Sequence, residues 1–530
     1  MHLRVISVKR GDSKYNYAQI VERYKENGKA KNRVIKHLGP VTNDNDLERY
    51  RKMFAMENQK ESIEKADLRT LDIMPPKEYG MIYAAEILCH DLGLDRIFDM
   101  LGDQSDIIFL SVISRLMDPS SDFGLLRFVD KAHYPMEKGI RKDRIYSALD
   151  KLISMKDEIE SSIVNILKPD MKRVYYDLTS TYFEGKEKND LVLFGYSRDK
   201  KRGKKQINIG LMMADGIPIH HEVFPGNTVD PKTLEPMNND LRKKFHVKRI
   251  IFFGDRAFGR RPSLRYLDKN EYVTAVYRWD QPYKNILKEC SFNDEHYLED
   301  IEIYAREVEV KWNTKDMGKR EIKRTGNRRA IAIYNKDREK EDIADVEEKV
   351  SIVKEIMKSG KKGKDLIKAL GSLKPYTKSS GTELNAKRID EKKRLAGRFM
   401  IVTDTDLPVA DIVKGYKDLW RIERSFRTIK SFLEIRPVNH RKEERIEAHV
   451  FVCVLSLLIA RLFEKSMNNG MTVSVISDML SELKAIPVRT ADGIITLRSE
   501  SENARKILDK MKIPYPGKIV ENTLTLPENK

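Results

Sequence analysis

The sequence predicts an α/β protein whose centre is a mixed five-stranded sheet covered by helices. Between residues 171 and 280, strand and helix signals alternate in the order β-β-β-α-β-α-β. Asp215-Gly216 separates two apolar runs, which is the signal for a tight hairpin. Val247 to Phe253 is almost unbroken in its apolar character, as in a strand buried on both faces. Three hairpin-joined strands followed by two right-handed crossovers give such a sheet.

The rest of the chain divides around this sheet. The N-terminal segment is β-rich, and from Tyr79 to about Asp170 the apolar residues recur at helical spacing. Arg398 to Thr403 returns as a strand, and Leu407 to about Leu433 is predicted as one long helix. The predicted regions are an N-terminal β-rich region (1–60), a helical domain (61–170), the first part of the core (171–280), an insertion domain (281–395), the second part of the core with the long helix (396–470) and a helix–hairpin–helix tail (471–530).

The composition indicates a soluble protein with a polyanionic partner. The chain has 530 residues, 40% of them hydrophobic, and a formal net charge of +18. No run of about 18 uncharged apolar residues occurs, so a membrane-spanning helix is not expected. The three cysteines are far apart and form no zinc pattern, and no secretory signal opens the chain, so we expect a reducing cytoplasm. Neither an ATP-binding nor a dinucleotide-binding glycine motif occurs.

Two aspartates stand at the ends of predicted core strands. Asp177 lies near the end of the first sheet strand, and Asp255 follows the apolar strand that ends at Phe253. If these strands are parallel neighbours, the two carboxylates lie side by side and repel each other, a conflict that a divalent cation removes. Mg²⁺ prefers such oxygen ligands. Taken singly, each aspartate is as well explained as a turn or helix cap.

A third carboxylate belongs to a stripe on the long helix. Tyr416, Trp420, Glu423, Arg427 and Lys430 follow one another at steps of four and three residues, which keeps them on one helix face. An acid flanked by a phenol and two cations suits a metal ligand beside a phosphodiester. The alternative is an amphipathic core helix with intrahelical ion pairs, such as Glu423 with Arg427.

Basic clusters provide further sites for phosphate. Arg198 to Lys205, which includes Lys201 and Arg202, holds six basic residues against one acid. Lys311 to Arg329 and Lys358 to Lys364 are also rich in basic residues. Each cluster alone could be a solvated face, but together with the net charge they favour nucleic-acid binding. His220-His221 is similar to a metal pair, yet strand neighbours point to opposite faces, so packing is the expected role.

With these residues in hand, the chain resembles the DDE transposases of bacterial insertion sequences. It is most similar to the group with a Tyr–Arg–Glu–Lys signature on a helix that follows an insertion domain. The matching blocks are Tyr176–Glu184 and Gly254–Phe258 for the two aspartates, Gly195–Asp199 and Phe224–Asp230 as linking motifs, and Tyr416–Lys430 with its continuation Arg436–His440 for the third block. One position departs from the pattern, since Leu419 stands where the signature arginine is expected. Arg421 lies about 200° around the helix from it.

The resemblance implies an RNase H-like core with two-metal chemistry, using Mg²⁺ for which Mn²⁺ substitutes. Asp177, Asp255 and Glu423 would be the catalytic metal ligands. The family also implies a homodimer that holds two element ends, with the N-terminal regions recognising those ends. The residues expected to bind DNA are Tyr416, Arg427, Lys430, Arg256, Lys201 and Arg202.

The function expected from the resemblance is cleavage at the ends of an insertion sequence and strand transfer into target DNA. Two alternatives stay open. One is a nuclease of the RNase H fold without strand transfer, and the other is a domesticated DNA-binding protein that has lost catalysis. The three carboxylates count against the second alternative, whereas Leu419 favours it slightly.

Overall fold

The structure is a computed structural model, and its residues fall into two compact units. The first unit comprises residues 1–88, 126–139 and 466–530, and the second comprises 89–125 and 140–465. The described residues are 2–10, 13–26, 29–41, 46, 50–51, 71–136, 139–183, 189–195, 203–228, 233, 236–237, 244–245, 251–256, 258–259, 271–311, 327–435, 438, 440–468, 470–490 and 493–522.

Strands and helices occur in both units. The strands are β1 (His2–Arg10), β2 (Ser13–Glu26), β3 (Lys29–Val41), β4 (Asp72–Ile73), β5 (Lys77–Glu78), β6 (Arg173–Tyr182), β7 (Gln206–Ala214), β8 (Ile217–Pro225), β9 (Ile251–Gly254), β10 (Glu271–Val276), β11 (Tyr297–Leu298), β12 (Ile303–Lys311), β13 (Asn327–Tyr334), β14 (Arg398–Thr403), β15 (Lys484–Thr490), β16 (Gly493–Arg498) and β17 (Ile519–Asn522). The helices are α1 (Gly80–Leu92), α2 (Asp95–Asp99), α3 (Ser105–Met117), α4 (Leu125–Lys131), α5 (Lys142–Ser154), α6 (Lys156–Leu167), α7 (Tyr283–Glu289), α8 (Lys336–Lys358), α9 (Gly363–Leu370), α10 (Ala386–Arg394), α11 (Val409–Lys417), α12 (Trp420–Arg427), α13 (Glu443–Met467), α14 (Val473–Ser481) and α15 (Glu502–Lys510).

The first unit contains two antiparallel sheets. Strands β1, β2 and β3 form a meander in the N-terminal segment, which the sequence analysis describes as β-rich. Asn27-Gly28, a dipeptide typical of hairpin turns, lies outside the described residues. The second sheet has the order β17-β16-β15-β4, with β5 also paired to β15. Along the chain, the β15–β16 hairpin lies between α14 and α15.

The second unit is built on one mixed sheet of nine strands. Their order is β11-β12-β13-β14-β10-β9-β6-β7-β8, in which β6, β9 and β10 are mutually parallel and the remaining pairs are antiparallel. The predicted mixed α/β architecture is confirmed, but the prediction of five strands is too small. Strand β14 pairs with β10 on one side and with insertion strand β13 on the other, so the insertion extends the sheet.

Local sequence explains the central strands. Asp215 and Gly216 adopt φ of 50° and 76°, the left-handed pair that a tight two-residue hairpin requires between β7 and β8. All four residues of β9 are buried, as expected of a strand covered on both faces. The segment Pro231 to Phe245, predicted as a helix, lies largely outside the described residues.

The insertion is joined to the core by side chains as well as by strand pairing. Arg329 of β13 donates hydrogen bonds from Nη1 to the carbonyl oxygens of Thr405 (2.9 Å) and Leu407 (2.6 Å). It also pairs with Glu307 on β12 at 2.8 Å. The segment that leads into α11 is therefore held by a residue of the insertion.

Helix α13 combines length with a long apolar stretch. By length and composition it could cross a membrane, but 89% of its most apolar 18-residue window is buried inside the protein. This burial accounts for its apolar sequence, because a helix enclosed on all sides by core residues carries apolar side chains all round.

Candidate functional site

Strand pairing brings together the two segments that carry Asp177 and Asp255. In the parallel pair β6–β9, Tyr175 stands opposite Phe253. The same register carried two residues further brings Asp177 level with Asp255, which directly follows β9. Adjacent strands lie about 4.8 Å apart. Both aspartates are half-buried, at the edge of the sheet where the parallel strands end.

The loop that carries Asp255 is folded back onto β10. The hydroxyl of Thr274 donates a 2.7 Å hydrogen bond to the Asp255 carbonyl oxygen. A Cβ on Gly259 would lie 1.8 Å from the carbonyl oxygen of Ala275, so only glycine permits this close approach. Arg256 is exposed and its guanidinium lies 5.7 Å from the centre of the Tyr277 ring.

Helix α11 approaches the sheet closely beside this loop. Gly415 packs against the buried ring of Phe253, to which an added Cβ would come within 2.5 Å. The next residue, Tyr416, has a raised pKa because of its burial, with further contributions from the charges of Asp255 and Glu423. Arg256 opposes these effects. The Tyr416 phenol therefore lies in the electrostatic field of two of the three predicted carboxylates.

The long helix predicted from Leu407 to Leu433 is interrupted, which corrects the single stripe inferred from spacing. Helix α11 ends at Lys417 and α12 begins at Trp420, and a π-helical turn, Thr428–Phe432, follows. At the junction the Leu419 N–H donates to the Tyr416 carbonyl oxygen three residues back (3.2 Å), a tighter turn than the α-helix has. Tyr416, Glu423 and Lys430 of the predicted stripe thus lie on α11, α12 and the π-helical turn, so a regular 100° rotation does not relate them.

Leu419, at the position of the missing signature arginine, is buried, with 6% of its surface exposed. It takes part in the packing at the junction rather than in a surface that could contact DNA. Arg421 belongs to α12, but its side chain lies outside the described part of the chain.

One face of α12 is anchored to α13. Arg461 donates a hydrogen bond to the Ser425 hydroxyl (3.1 Å), and Glu464 pairs with Arg424 at 3.5 Å. The face of α12 and the π-helical turn that remains exposed borders a groove of about 730 Å³. The groove is lined by Tyr182, Glu423, Phe426, Arg427, Lys430, Ser431 and Glu434.

This groove joins the end of β6 to the third predicted carboxylate. Tyr182 is the last residue of β6, the strand that carries Asp177, and Glu423 is exposed on the facing helix. Arg427 and Lys430 place two cations on the same wall. The ammonium group of Lys204, which precedes β7, lies 6.0 Å from the Tyr182 ring centre. Tyr182 and Lys204 were not predicted from the sequence as site residues, although Lys204 belongs to the basic cluster 198–205.

Two predicted DNA-binding residues lie outside the described ranges, namely Lys201 and Arg202. The remaining predicted site residues are all near the sheet edge or the groove. Asp177, Asp255, Arg256 and Tyr416 cluster at the end of the parallel strands, while Glu423, Arg427 and Lys430 line the groove. The charges of Asp255 from the first set and Glu423 from the second both raise the pKa of Tyr416.

Carboxylate oxygens are the donors that Mg²⁺ prefers, so the chemistry of the predicted trio fits this ion. A tighter cluster occurs elsewhere. Among the residues that the structure describes, Asp122, His440 and His449 have ligand atoms within 4.8 Å of one another, and the predicted trio does not form a second group of this kind. The sequence signal for that cluster is His449, a histidine within the apolar run of α13.

Two family models match this chain. Residues 176–459, just over half of the chain, match a model described as the transposase DDE domain. Residues 3–67 match the N-terminal domain of the IS1634 family transposases. A curated relative, the transposase for insertion sequence element IS231E of Bacillus thuringiensis subsp. finitimus, is 29% identical over 121 residues. That match covers 22% of this chain and about a quarter (25%) of the relative's length.

Solved structures with some likeness also include transposases. The piggyBac transposase synaptic complex with hairpin DNA has 10% identity and a TM-score of 0.34, with 72% of this chain and 70% of that chain covered. The Mos1 transposase paired-end complex with the left transposon end has 16% identity and a TM-score of 0.15, with 40% and 62% covered. Likeness at these scores does not define the fold. The family matches, however, include both of the aspartates, the third block and the N-terminal region, and the chain therefore belongs to the DDE transposases of bacterial insertion sequences.

Proposed function

We propose that the protein cleaves phosphodiester bonds at the ends of its insertion sequence and joins the freed ends to target DNA. Its sheet segment β8-β7-β6-β9-β10 would be an RNase H-like core, since three antiparallel strands are followed there by two parallel ones. The observation that carries the proposal is the parallel pairing of β6, which carries Asp177, with β9, which Asp255 directly follows, together with Glu423 in the groove beside the end of β6. The protein would act in the cytoplasm, where chromosomal DNA is accessible.

Asp177, Asp255 and Glu423 would hold two Mg²⁺ ions, or Mn²⁺ in their place. Bound there, the ions would activate a water or a 3′-hydroxyl and stabilise the leaving oxygen. Glu423 is exposed, so rotation of its side chain can bring it towards the two half-buried aspartates. Asp177 belongs to β6, and Asp255 directly follows β9, which pairs with β6.

The cations around the site would hold the DNA strand. Arg427 and Lys430 stand on the wall of the groove beside Glu423, and Arg256 directly follows Asp255. Each can neutralise a phosphate and release counterions from the duplex. The Tyr416 phenol has a raised pKa, chiefly because of burial, and so remains protonated and able to donate a hydrogen bond to a phosphate oxygen. Lys201 and Arg202 would extend this surface on the strength of the sequence alone.

A homodimer would hold two element ends, with the N-terminal regions recognising them. These two statements rest on family membership and not on contacts within this chain. A homodimer predicts cleavage that depends on protein concentration and on the presence of two DNA ends, which mixing experiments with catalytically inactive subunits can measure.

The central experiment compares Glu423→Gln with Glu434→Gln. Both substitutions remove one negative charge, and both residues line the same groove. The substrate is a duplex carrying the repeat that flanks the gene, with Mg²⁺ supplied. Glu423→Gln should abolish cleavage and leave DNA binding intact, whereas Glu434→Gln should cleave at a rate close to that of the wild type. Normal cleavage by Glu423→Gln would refute its assignment as a ligand.

Strand transfer separates a transposase from a plain nuclease. Pre-cut ends and a supercoiled target should give joined products with the wild-type protein. Cleavage without joined products would favour the nuclease. Binding without any metal-dependent nicking would favour a DNA-binding protein that has lost catalysis.

A further inference from the structure

A buried charge network lies behind the groove, outside the predicted site. Arg115 of α3 is 2% exposed, and its guanidinium donates to Asp122 Oδ1 at 2.8 Å. It also lies 3.2 Å from His449 Nδ1. Asp122 Oδ2 in turn lies 2.5 Å from His440 Nε2 and 2.9 Å from His449 Nδ1. These four residues are called the Arg115 network below.

Within the Arg115 network, the buried charges of Arg115 and Asp122 offset each other. A buried guanidinium or carboxylate without a partner is strongly destabilising, because its charge is removed from water without compensation. Burial alone would raise the pKa of Asp122, but His449, His440 and Arg115 together hold it well below its usual range. Asp122 is therefore ionised, and each of its oxygens accepts at least one hydrogen bond.

Asp122, His440 and His449 could in principle bind a metal ion, but their surroundings favour a different role. The Arg115 guanidinium already contacts the Asp122 carboxylate and a ring nitrogen of His449. A divalent ion at the same place would meet this fixed positive charge at close range. The other ring nitrogen of His449, Nε2, lies 3.0 Å from the carbonyl oxygen of Ile435. The network is thus closed by hydrogen bonds between protein groups.

The backbone groups that the network holds belong to the segment that ends the third block. Arg115 Nη1 donates to the carbonyl oxygens of Leu433 and Glu434, both at 3.3 Å. These residues directly follow the π-helical turn, and Glu434 has a positive φ of 44°, a conformation that a residue with a side chain adopts at some cost. Hydrogen bonds from a buried arginine can hold such a strained backbone in place.

The same segment is also tied to β6. Val438 forms a parallel bridge with Phe183, the residue that follows β6. His440, two residues further on, contacts Asp122. The described residues of this segment are therefore held at three points: Leu433 and Glu434 by Arg115, Val438 by the strand end, and His440 by Asp122. Since β6 carries Asp177 and the preceding helix carries Glu423, the segment links the supports of two predicted ligands.

We propose that the Arg115 network is a positioning device that sets the distance between Glu423 and the aspartates on the sheet. The inference rests on the proposed function, since it assigns a purpose to the anchoring of the third block. Its four members are positioning residues, because they act through the segment 433–440 and contact neither metal nor DNA.

His440 offers the cleanest test, because it lies at the edge of the network with 10% of its side chain exposed. His440→Gln keeps an amide nitrogen near the place of Nε2 and preserves the contact with Asp122. His440→Leu removes the donor, and His440→Asn supplies a donor that is too short to reach. The two loss variants provide independent readings if one of them folds poorly.

The measurements are single-turnover cleavage of an element end over a range of Mn²⁺ concentrations, Mn²⁺ binding by calorimetry, DNA affinity and thermal stability. We expect His440→Leu and His440→Asn to lower the cleavage rate by about tenfold or more, as a displaced catalytic group does. Both should weaken Mn²⁺ binding while DNA affinity changes less than twofold, and His440→Gln should restore both quantities to within about threefold of the wild type.

Several outcomes would overturn the inference. Loss variants that only lower the fraction of folded protein, with unchanged rate per folded molecule and unchanged Mn²⁺ binding, would reduce the network to a stability element. Failure of His440→Gln to rescue, together with stabilisation of the wild type by added Zn²⁺, would identify a metal site instead. Absence of metal-dependent cleavage by the wild-type protein would refute the proposed function, whereas unchanged Mn²⁺ binding by the His440 variants would refute the positioning role alone.

Discussion

The contact between Gly415 and Phe253 allows a prediction whose sign runs against the usual expectation. Within a helix, replacing glycine by alanine normally stabilises the protein by about 1 kcal/mol. Here the added Cβ would lie 2.5 and 2.6 Å from two carbons of the Phe253 ring. That ring is fully buried and its centre is 5.1 Å from the centre of the Tyr175 ring, so it has little room to move. Gly415→Ala should therefore destabilise the protein.

The size of the effect follows from the geometry. Carbon atoms in contact prefer about 3.5 Å or more, so α11 or the ring must move by roughly 1 Å. Overpacking of this kind costs about 1–3 kcal/mol, which outweighs the helix-propensity gain. The displaced helix carries Tyr416, beside Asp255 and Glu423. A shift of roughly 1 Å at a catalytic site can lower the rate by about 100-fold.

Urea unfolding and single-turnover cleavage would measure the two consequences. Gly139→Ala is the control, because nothing lies within 4 Å of a Cβ at that position. Phe253→Leu should relieve part of the cost of Gly415→Ala, which a double-mutant cycle would detect as a favourable coupling. A Gly415→Ala protein that is more stable than the wild type and cleaves DNA normally would refute the reasoning from close packing.

Three further predictions follow from other parts of the structure. His221 is buried, and burial together with the charge of Lys156 lowers its pKa to about 4, so the folded state resists protonation of this ring. The free energy of unfolding should therefore fall by about 3 kcal/mol as the pH drops from 6.5 to 4. A calorimetric pH series should show a flatter decline for His221→Gln than for the wild type. Arg427→Ala and Lys430→Ala should each reduce the slope of log affinity against log salt by about one, equally for all DNA sequences, and a slope equal to that of the wild type would exclude phosphate contacts. Gly259→Ala should lower cleavage and stability while sparing DNA affinity, since its Cβ would meet a backbone oxygen of β10 at 1.8 Å; normal cleavage would mean that this loop tolerates displacement.

The central sheet could be predicted from sequence because its signals are local. Asp215-Gly216 specifies its hairpin through the left-handed conformation that both residues adopt. The apolar run that ends at Phe253 is typical of a strand covered on both faces, and its described part forms β9. The parallel pairing of β6 with β9, on which the expected proximity of Asp177 and Asp255 depends, is confirmed. The extension of the sheet to nine strands could not be predicted, because pairing of β13 with β14 depends on contacts between segments distant in sequence.

The break after α11 was missed for a different reason. The residues from Tyr416 to Lys430 include no proline or glycine, so their helical spacing continues through the junction without a signal. The turn at Leu419 tightens in the folded protein, where this side chain is buried. No residue pattern in the sequence indicates the π-helical turn that contains Lys430 either. Spacing located the third carboxylate correctly on a helix, but the angular relation of the stripe depends on tertiary packing.

The paired histidines show how an edge strand changes a simple rule. His220 and His221 were expected to point to opposite faces of β8, yet both approach Glu160 of α6, at 2.7 and 2.9 Å. The His221 N–H also donates to this carboxylate at 3.2 Å. Glu160 therefore sits beside the outer edge of β8, where side chains from both faces can reach it. The position of β8 at the end of the sheet was not available from the sequence.

The union of the insertion with the main sheet has a practical consequence for anyone seeking a minimal catalytic fragment. Strand β14 lies between β10 and β13, and Arg329 donates hydrogen bonds to backbone carbonyl oxygens just before α11. Excising residues 303–334 would make β14 an edge strand with unpaired backbone N–H and C=O groups. Such an edge can pair with another chain and lead to aggregation. It would also remove the Arg329 hydrogen bonds that hold the segment before α11, and α11 and α12 carry Tyr416 and Glu423. A shortened enzyme would need a substitute strand, not merely a shorter linker.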